Sequence, residues 1–480
     1  MVFSSLLFLF AFLTLCYIGY AFCPGIKSKN ILLLAFSLIF YAWGGPALVI
    51  LLCLMTFICY LGALLIEKHS EKRKLFLVLT LVVSLGILAF FKYTGFFLTN
   101  LKFLFGFPET IPSITLPIGI SFYTFQLISY VIDVYRKEVR AQKKYWLLLL
   151  YASLFHQCIA GPIVRYADVN LELENRSVNK DEVSRGITRF ACGLAKKAVL
   201  ANGCAAIIKQ ILPDNNGDLL KASASALILS AVLYMLQIYL DFSAYSDMAI
   251  GMGLMIGFHY RENFNYPYIA SSVTDFWRRW HISLSTFFRD YVYIPLGGNR
   301  VSVPRHIFNL FVVWSLTGLW HGASWNFVLW GLYYFVFLVI EKYVFRISNR
   351  QIHGFSRILR TVYTLVIVCF GWIIFYYTDI TMLSTALKGI FMLNGNAFSD
   401  ESVRIVFINN IFLIAVSVLA CTPIIPAIGK YFERKRVASQ SKPALALYDF
   451  STAIIPVCLV AISALALVGD SYNPFLYFRF

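Results

Sequence analysis

The sequence predicts an all-α polytopic membrane protein, on three observations. Of its 480 residues 59% are apolar and 14% charged, with mean hydropathy +0.72, whereas a soluble domain runs near half apolar and a quarter charged. The apolar residues fall in runs, about a dozen of which approach the roughly 20 residues that cross a bilayer as helix. The basic residues behind the net charge of +17 sit in short clusters between those runs. They form no separate basic domain, so they read as anchors on anionic headgroups. Membrane lipids are the expected partners and nucleic acid is not.

Taken in order, Val2 to Phe22 is apolar without a basic leader, and further apolar runs follow it, so it reads as a first span and not as a cleaved signal. Further spans are predicted at about 31–43, 47–66, 75–91, 145–163, 187–212, 222–240, 306–321, 323–340, 361–377, 405–428 and 446–468, giving about 11–12 transmembrane helices. Segments 116–132, 241–257 and 280–296 carry Pro, Gly or charge inside apolar sequence and read as broken, re-entrant or interfacial helices around a protein-walled interior. Lys27 and Lys29, Lys68 to Lys74, Arg136 to Lys144, and Lys430 to Lys442 hold the basic clusters, which places those turns in the cytoplasm and the N-terminus outside. The last span would return the aromatic tail Tyr472 to Phe480 to the outer interface. The ten cysteines form no C-x-x-C pair and read as small buried hydrophobes. Residues 1–480 are expected to form a single membrane-embedded domain, with peripheral helices over about 1–110, a catalytic core over about 115–345 and C-terminal helices over about 360–480.

Two stretches carry chemistry. Ile307 to Ile340 contains no Asp, Glu, Lys or Arg, yet His321 stands at its centre in Gly318-Leu319-Trp320-His321-Gly322-Ala323-Ser324-Trp325-Asn326. An ionisable ring at bilayer depth is expensive, so it faces a bundle interior or wet cavity, either as a functional group or as a hydrogen-bonded structural one. The second stretch runs from Asp275 through Trp277-Arg278-Arg279-Trp280-His281 and Arg289-Asp290-Tyr291 to Pro295-Leu296-Gly297-Gly298-Asn299-Arg300. Its arginines fit two readings: contacts to lipid phosphates along an interfacial helix, or guanidinium forks holding a phosphate-bearing donor at a cavity mouth. Asp241 and Asp247 flank Phe242-Ser243-Ala244-Tyr245-Ser246 in apolar surroundings, as a structural network or as part of a substrate lining. His156 reads as a structural histidine. No P-loop, nucleophile elbow or His-Glu-x-x-His helix occurs.

These stretches resemble the membrane-bound O-acyltransferase family, specifically its branch of alginate and polysaccharide O-acetyltransferases. Pro117 to Gln126, His156 with Ala160-Gly161-Pro162-Ile163, Asp241 to Asp247, Asn263 to Tyr268 and Tyr472-Asn473-Pro474-Phe475 extend the likeness over most of the chain. The resemblance implies a fold around a central tunnel and two catalytic histidines, His321 and His281. Acyl transfer to a hydroxyl needs a base, and histidine takes and returns a proton near neutral pH. His321 is the expected base, with Trp320, Ser324 and Asn326 about it and Asn326 or backbone groups as oxyanion donors. For His281, orienting the thioester, stabilising charge and protonating the departing thiolate all stand open. Arg278, Arg279 and Arg289 are expected at the donor, and Asp241 is a candidate substrate contact.

The implied activity is acetyl transfer from cytosolic acetyl-CoA, a substrate and not a bound cofactor, towards an exported polysaccharide. An extracytoplasmic acetyl-transfer protein of the SGNH-hydrolase type and polysaccharide export machinery are the implied partners, in a bacterial cytoplasmic membrane. No metal is expected. D-alanyl transfer from a carrier protein to teichoic acid is the alternative within the family, and a transporter of a polyanion or lipid-linked sugar the alternative outside it.

Overall fold

The computed structural model describes residues 1–107, 110–112, 114–158, 161–346, 354–438 and 442–469. Helices connected by turns and irregular segments account for all of it, with no strand among the described residues. In chain order the helices are α1 (Phe8–Phe22), α2 (Ile26–Ala42), α3 (Pro46–Lys68), α4 (Arg73–Phe105), α5 (Ile120–Arg136), α6 (Tyr145–Ser153), α7 (Tyr166–Glu174), α8 (Lys180–Ile211) and α9 (Ala224–Met255). After them come α10 (Val273–Arg279), α11 (Ile282–Phe288), α12 (Val303–His321), α13 (Trp325–Val339), α14 (Phe355–Tyr376), α15 (Ile380–Ile390), α16 (Glu401–Asn409), α17 (Ile411–Ala420), α18 (Ile424–Ala438) and α19 (Lys442–Val468). Among the described residues seven helices are long and apolar enough to cross a membrane, or eight if the pair α16 and α17, bent by 62°, counts as one. Other apolar runs form shorter helices, among them α1 and α15.

Several expectations change here. The run at 145–163 yields only the nine-residue α6, after which the chain continues irregularly. Its apolarity comes from burial in protein: every residue from Leu147 to Cys158 is buried. The predicted break between 222–240 and 241–257 is absent, because α9 runs unbroken for 32 residues. Its acidic residues are neutralised from α8: Asp241 pairs with Lys197 at 2.6 Å, and Asp247 pairs with Arg189 at 2.9 Å and with Lys196. A buried carboxylate opposite a cation need not interrupt a helix. Segment 116–132 is also unbroken beyond its start, where Gly119 at φ 76° precedes the 17-residue α5. The run at 405–428 is divided at Asn410 and again before Ile424. Segment 280–296 breaks as expected, at Trp280-His281 and again into the π-turn Arg289–Tyr293. The tail 472–480 lies outside the described residues.

Two of the basic turns meet the π-turn Arg289–Tyr293 on one side. Lys143 pairs with Glu67, Arg73 donates to the Tyr135 carbonyl, and Arg136 donates to the Asp290 carbonyl at 2.9 Å. The turn after α3, the loop after α5 and the π-turn Arg289–Tyr293 therefore share a face of the bundle. Two apolar clusters fill the interior. One is built on α1 to α7 with the first part of α8, the last part of α9, Leu284, Phe287 and Trp320, the other on the rest of α8 and α9 with α10 and α12 to α15. Segment α10–α11 and the end of α12 form the seam between them.

Candidate active site

His281 stands where α10 stops. Trp280 is extended, and His281 takes the left-handed conformation at φ 45° before Ile282 starts α11. A non-glycine residue there costs of order 1 kcal/mol or more, so the surroundings must impose it. They do: the Ile282 amide donates to the Asn263 carbonyl at 2.9 Å, and the Asn265 amide donates to the Arg279 carbonyl at 2.9 Å. The fully buried Asn263 side chain adds more. Its Oδ1 accepts from the Ser283 amide at 3.1 Å and from Ser283 Oγ at 2.8 Å, and lies 3.2 Å from His281 Nδ1. A backbone amide only donates, which fixes that atom as the carbonyl oxygen, and an oxygen of that kind only accepts. His281 Nδ1 therefore carries the proton and Nε2 carries the lone pair. Nε2 is buried without a hydrogen-bond partner.

His321 is the last residue of α12, before the extended Gly322. The carbonyls that the helix end leaves over are met from α4, where Tyr93 donates to Leu319 O at 2.8 Å and the buried Lys92 donates to Trp320 O. A cation at a helix C-terminus also opposes the helix dipole. Lys92 lies 3.3 Å from Ser121 Oγ as well, tying α4 and α5 to the same point. The His321 ring is enclosed by rings: Trp320 at 4.9 Å between centroids, Trp330 at 4.8 Å and Phe375 at 5.2 Å. Its Nδ1 is buried and has no hydrogen-bond partner. The hairpin of α12 and α13 closes tightly beside it, since a Cβ on Gly318 would lie 2.4 Å from the Phe327 carbonyl and one on Gly331 2.4 Å from the Trp314 carbonyl. Only glycine lets backbones approach that closely.

Both histidines line one cavity of about 250 Å³, together with Thr274, Arg278, Arg289 and Tyr293. Leu310, Val313, Trp314, Thr317 and His321 form its wall along one face of α12. Eleven residues of rise at ~1.5 Å each make that wall about 16 Å long. The cavity thus runs from the basic side of the bundle inward to His321. Trp320 bridges the two rings, 5.8 Å from His281 and 4.9 Å from His321.

Of the sequence-predicted residues, His281, His321, Arg278 and Arg289 come together here. Arg279 turns into an ion pair with Asp275 at 2.9 Å and does not line the cavity. Asn326 donates to the Ile374 and Phe375 carbonyls at 3.3 Å and accepts from Ser324 Oγ, so both side chains join α13 to the end of α14 and leave no donor for an oxyanion. Asp241 lies in its ion pair with Lys197. His156 meets Tyr260 OH at 3.0 Å. Asn263, Tyr293 and Lys92 were missed. Lys92 left a signal, a lone charge in the apolar run Leu75 to Leu101. Among the described residues no group of His, Cys, Asp and Glu could hold a metal ion.

Residues 38–384 match the membrane-bound O-acyltransferase family model. The chain is 36% identical to the probable alginate O-acetylase AlgI of Azotobacter vinelandii, with 100% of both chains covered. It is 34% identical to the peptidoglycan O-acetyltransferase of Helicobacter pylori over 82% of this chain and 80% of the relative. Similarity to the teichoic acid D-alanyltransferase of Bacillus subtilis is lower, at 29% over 54% of this chain and 68% of the relative. With a multi-pass helical bundle and paired histidines on a buried cavity, the chain belongs to the membrane-bound O-acyltransferase family and is a membrane O-acyltransferase.

Proposed function

We propose that the protein moves an acetyl group from cytosolic acetyl-CoA towards an exported polysaccharide, within the bacterial cytoplasmic membrane and through an extracytoplasmic acetyl-transfer partner. The observation that carries this reading is the single cavity that joins a basic, arginine-lined mouth to two histidines with unpartnered ring nitrogens. Arg278 and Arg289 at the mouth suit the phosphates of coenzyme A, which guanidinium groups match as two-pronged donors. The depth suits an acetyl thioester. Full-length similarity to an alginate O-acetylase supports an acetyl group and a polysaccharide over the D-alanyl alternative, whose relative matches about half of this chain.

In this mechanism His321 takes the proton of the attacking hydroxyl. The oxygen bonds to the thioester carbonyl carbon, the carbon–sulfur bond breaks, and the proton passes to the departing thiolate. The tautomer of His281 narrows its role. With Nδ1–H committed to Asn263, its Nε2 is an acceptor in the resting state and has no proton to give a thiolate. His281 accordingly accepts a hydrogen bond, from the hydroxyl or from protonated His321, and orients the attack. Sealed vesicles with the protein in one orientation test the whole reading. Labelled acetyl-CoA on the basic face should label an acceptor or partner on the opposite face while coenzyme A stays behind. Labelling only on the donor side would overturn transfer across the membrane, and no transfer from acetyl-CoA would overturn the donor.

A further inference from the structure

α13 ends in a π-turn, Ile340–Val344, and three consecutive side chains of that turn reach the far sides of two cavity walls. Glu341 is 1% exposed. Its carboxylate accepts from the Val273 amide at 2.6 Å, the Thr274 amide at 3.0 Å and Thr274 Oγ1 at 3.0 Å. It thereby fixes the start of α10, the helix that carries Arg278. Lys342 Nζ lies 3.2 Å from Nε2 of the buried His306, and Tyr343 OH lies 2.6 Å from its Nδ1. The same Nε2 is 2.7 Å from Tyr293 OH. An ammonium only donates, so Nε2 carries the one lone pair, which Lys342 and Tyr293 share as a three-centre contact, and Nδ1–H donates to Tyr343. Thr274 and Tyr293, which line the cavity beside Arg278 and Arg289, are thus both held from behind by one short turn. π-turns inside α-helices recur at functional sites because the extra residue re-aims the side chains around it.

We infer that the Ile340–Val344 turn is a clasp that sets the width of the cavity mouth, with Glu341 as a positioning residue for the acyl donor through α10 and with His306 as a positioning residue through Tyr293. This rests on the proposed entry of the donor past Arg278 and Arg289. None of the clasp residues Glu341, Lys342, Tyr343 and His306 lines the cavity, so the clasp acts on binding geometry and leaves the proton transfer at His321 unchanged.

The test uses the full-length protein in detergent, comparing wild type with Glu341→Ala, Glu341→Gln and the milder Tyr293→Phe. Glu341→Ala should raise KM for acetyl-CoA about tenfold, as loss of roughly 1.4 kcal/mol of binding would, with kcat changed by less than about threefold. Glu341→Gln, which keeps one acceptor oxygen, should fall between it and wild type. A second readout does not depend on the donor. With Thr317→Cys placed in the cavity wall, alkylation of Cys at that position by an anionic maleimide, followed on its own peptide by mass spectrometry, should be accelerated by Glu341→Ala and by Tyr293→Phe. Unchanged alkylation together with unchanged KM overturns the clasp, as does a fall in kcat at constant KM. If wild type binds no acetyl-CoA, the donor reading falls while the alkylation rates still decide the clasp.

Discussion

His281 and His321 face the same cavity and both pack against rings, His281 on Phe242 at 4.7 Å, but they differ in their hydrogen bonds. His281 is fixed by hydrogen bonds: a strained left-handed backbone, Asn263 on Nδ1, and Ser283 and Ser246 on Asn263 in turn. His321 is fixed by shape: three aromatic rings enclose it, and the polar contacts about it go to the neighbouring carbonyls of Leu319 and Trp320. Hydrogen bonds choose a tautomer, whereas rings choose only a position. A group that gains and loses a proton in each cycle is better served by a box indifferent to which nitrogen carries it. A group that must present one lone pair throughout is better served by a committed amide. The contrast supports the proposed division, with proton transfer at His321 and orientation at His281.

The largest expected effect breaks this contrast outright. His321→Ala should lower acyl transfer by the ~10²- to 10⁴-fold that a positioned base contributes, with expression and extraction near normal. Transfer at the wild-type rate in cells would show that the ring box holds no catalytic base. Next in size are the arginines. Arg278→Ala should weaken acetyl-CoA binding by about 1.5–3 kcal/mol, the usual worth of a charge-assisted contact, when measured by calorimetry at low salt. Arg279→Ala should leave acetyl-CoA binding nearly unchanged, since Arg279 does not line the cavity and its i,i+4 pair with Asp275 is a surface ion pair. No loss of binding at either position would mean that both are lipid anchors, and an equal loss at both would return Arg279 to the donor site.

Both histidines were legible in the sequence, because a titratable ring in uncharged sequence, or among arginines and tryptophans, needs a protein-lined home. The hairpin of α12 and α13 was legible for the same reason, through its Gly322 break. Asn263 was not. It stands among Glu262, Phe264 and Asn265 in a segment without helix or strand period, and its role comes from irregular backbone that brings it back to a residue 18 positions later. The continuity of α9 was hidden too, because Asp241 and Asp247 look like breaks until Lys197, Lys196 and Arg189 appear across the interface on α8. A single helix's pattern holds no record of its partner's charges. Asn326 misled in the other direction, since a polar side chain just after His321 looks like an oxyanion donor until the end of α14 is seen to use it.

Asn263 sharpens the comparison at a smaller scale. Asn263→Ala removes the acceptor from His281 Nδ1 and frees the ring to take either tautomer. One neutral hydrogen bond is worth ~0.5–1.5 kcal/mol, so up to about a tenfold fall in kcat is expected. His281→Gln in the Asn263→Ala background should then cost less than it does in wild type, because part of its effect has already been removed. Fully additive losses would show that Asn263 supports the backbone and does not set the tautomer.

The smallest effect lies away from the cavity and provides a control for pH profiles. His259, half-exposed in the loop after α9, sits 2.8 Å from Glu172 through Nδ1 and 3.2 Å from Glu182 through Nε2. Burial lowers its pKa, but the hydrogen bonds and charges of the two carboxylates outweigh this and hold it above the ordinary value. A raised pKa in the folded state means that protonated His259 stabilises the fold fully below the ordinary histidine value of about 6.5. That contribution is lost as pH rises through the higher folded value. Exposure and screening limit it to a few tenths of a kcal/mol, on the order of a surface pair. Thermal unfolding in detergent should therefore show wild type slightly more stable than His259→Gln below about pH 6.5, with the gap closing at alkaline pH as His259 loses its proton. A gap that instead opened with rising pH would reverse the sign of this linkage and give Glu172 and Glu182 no part in holding the proton. Because His259 lies outside the cavity, kcat should follow the same pH profile in both proteins.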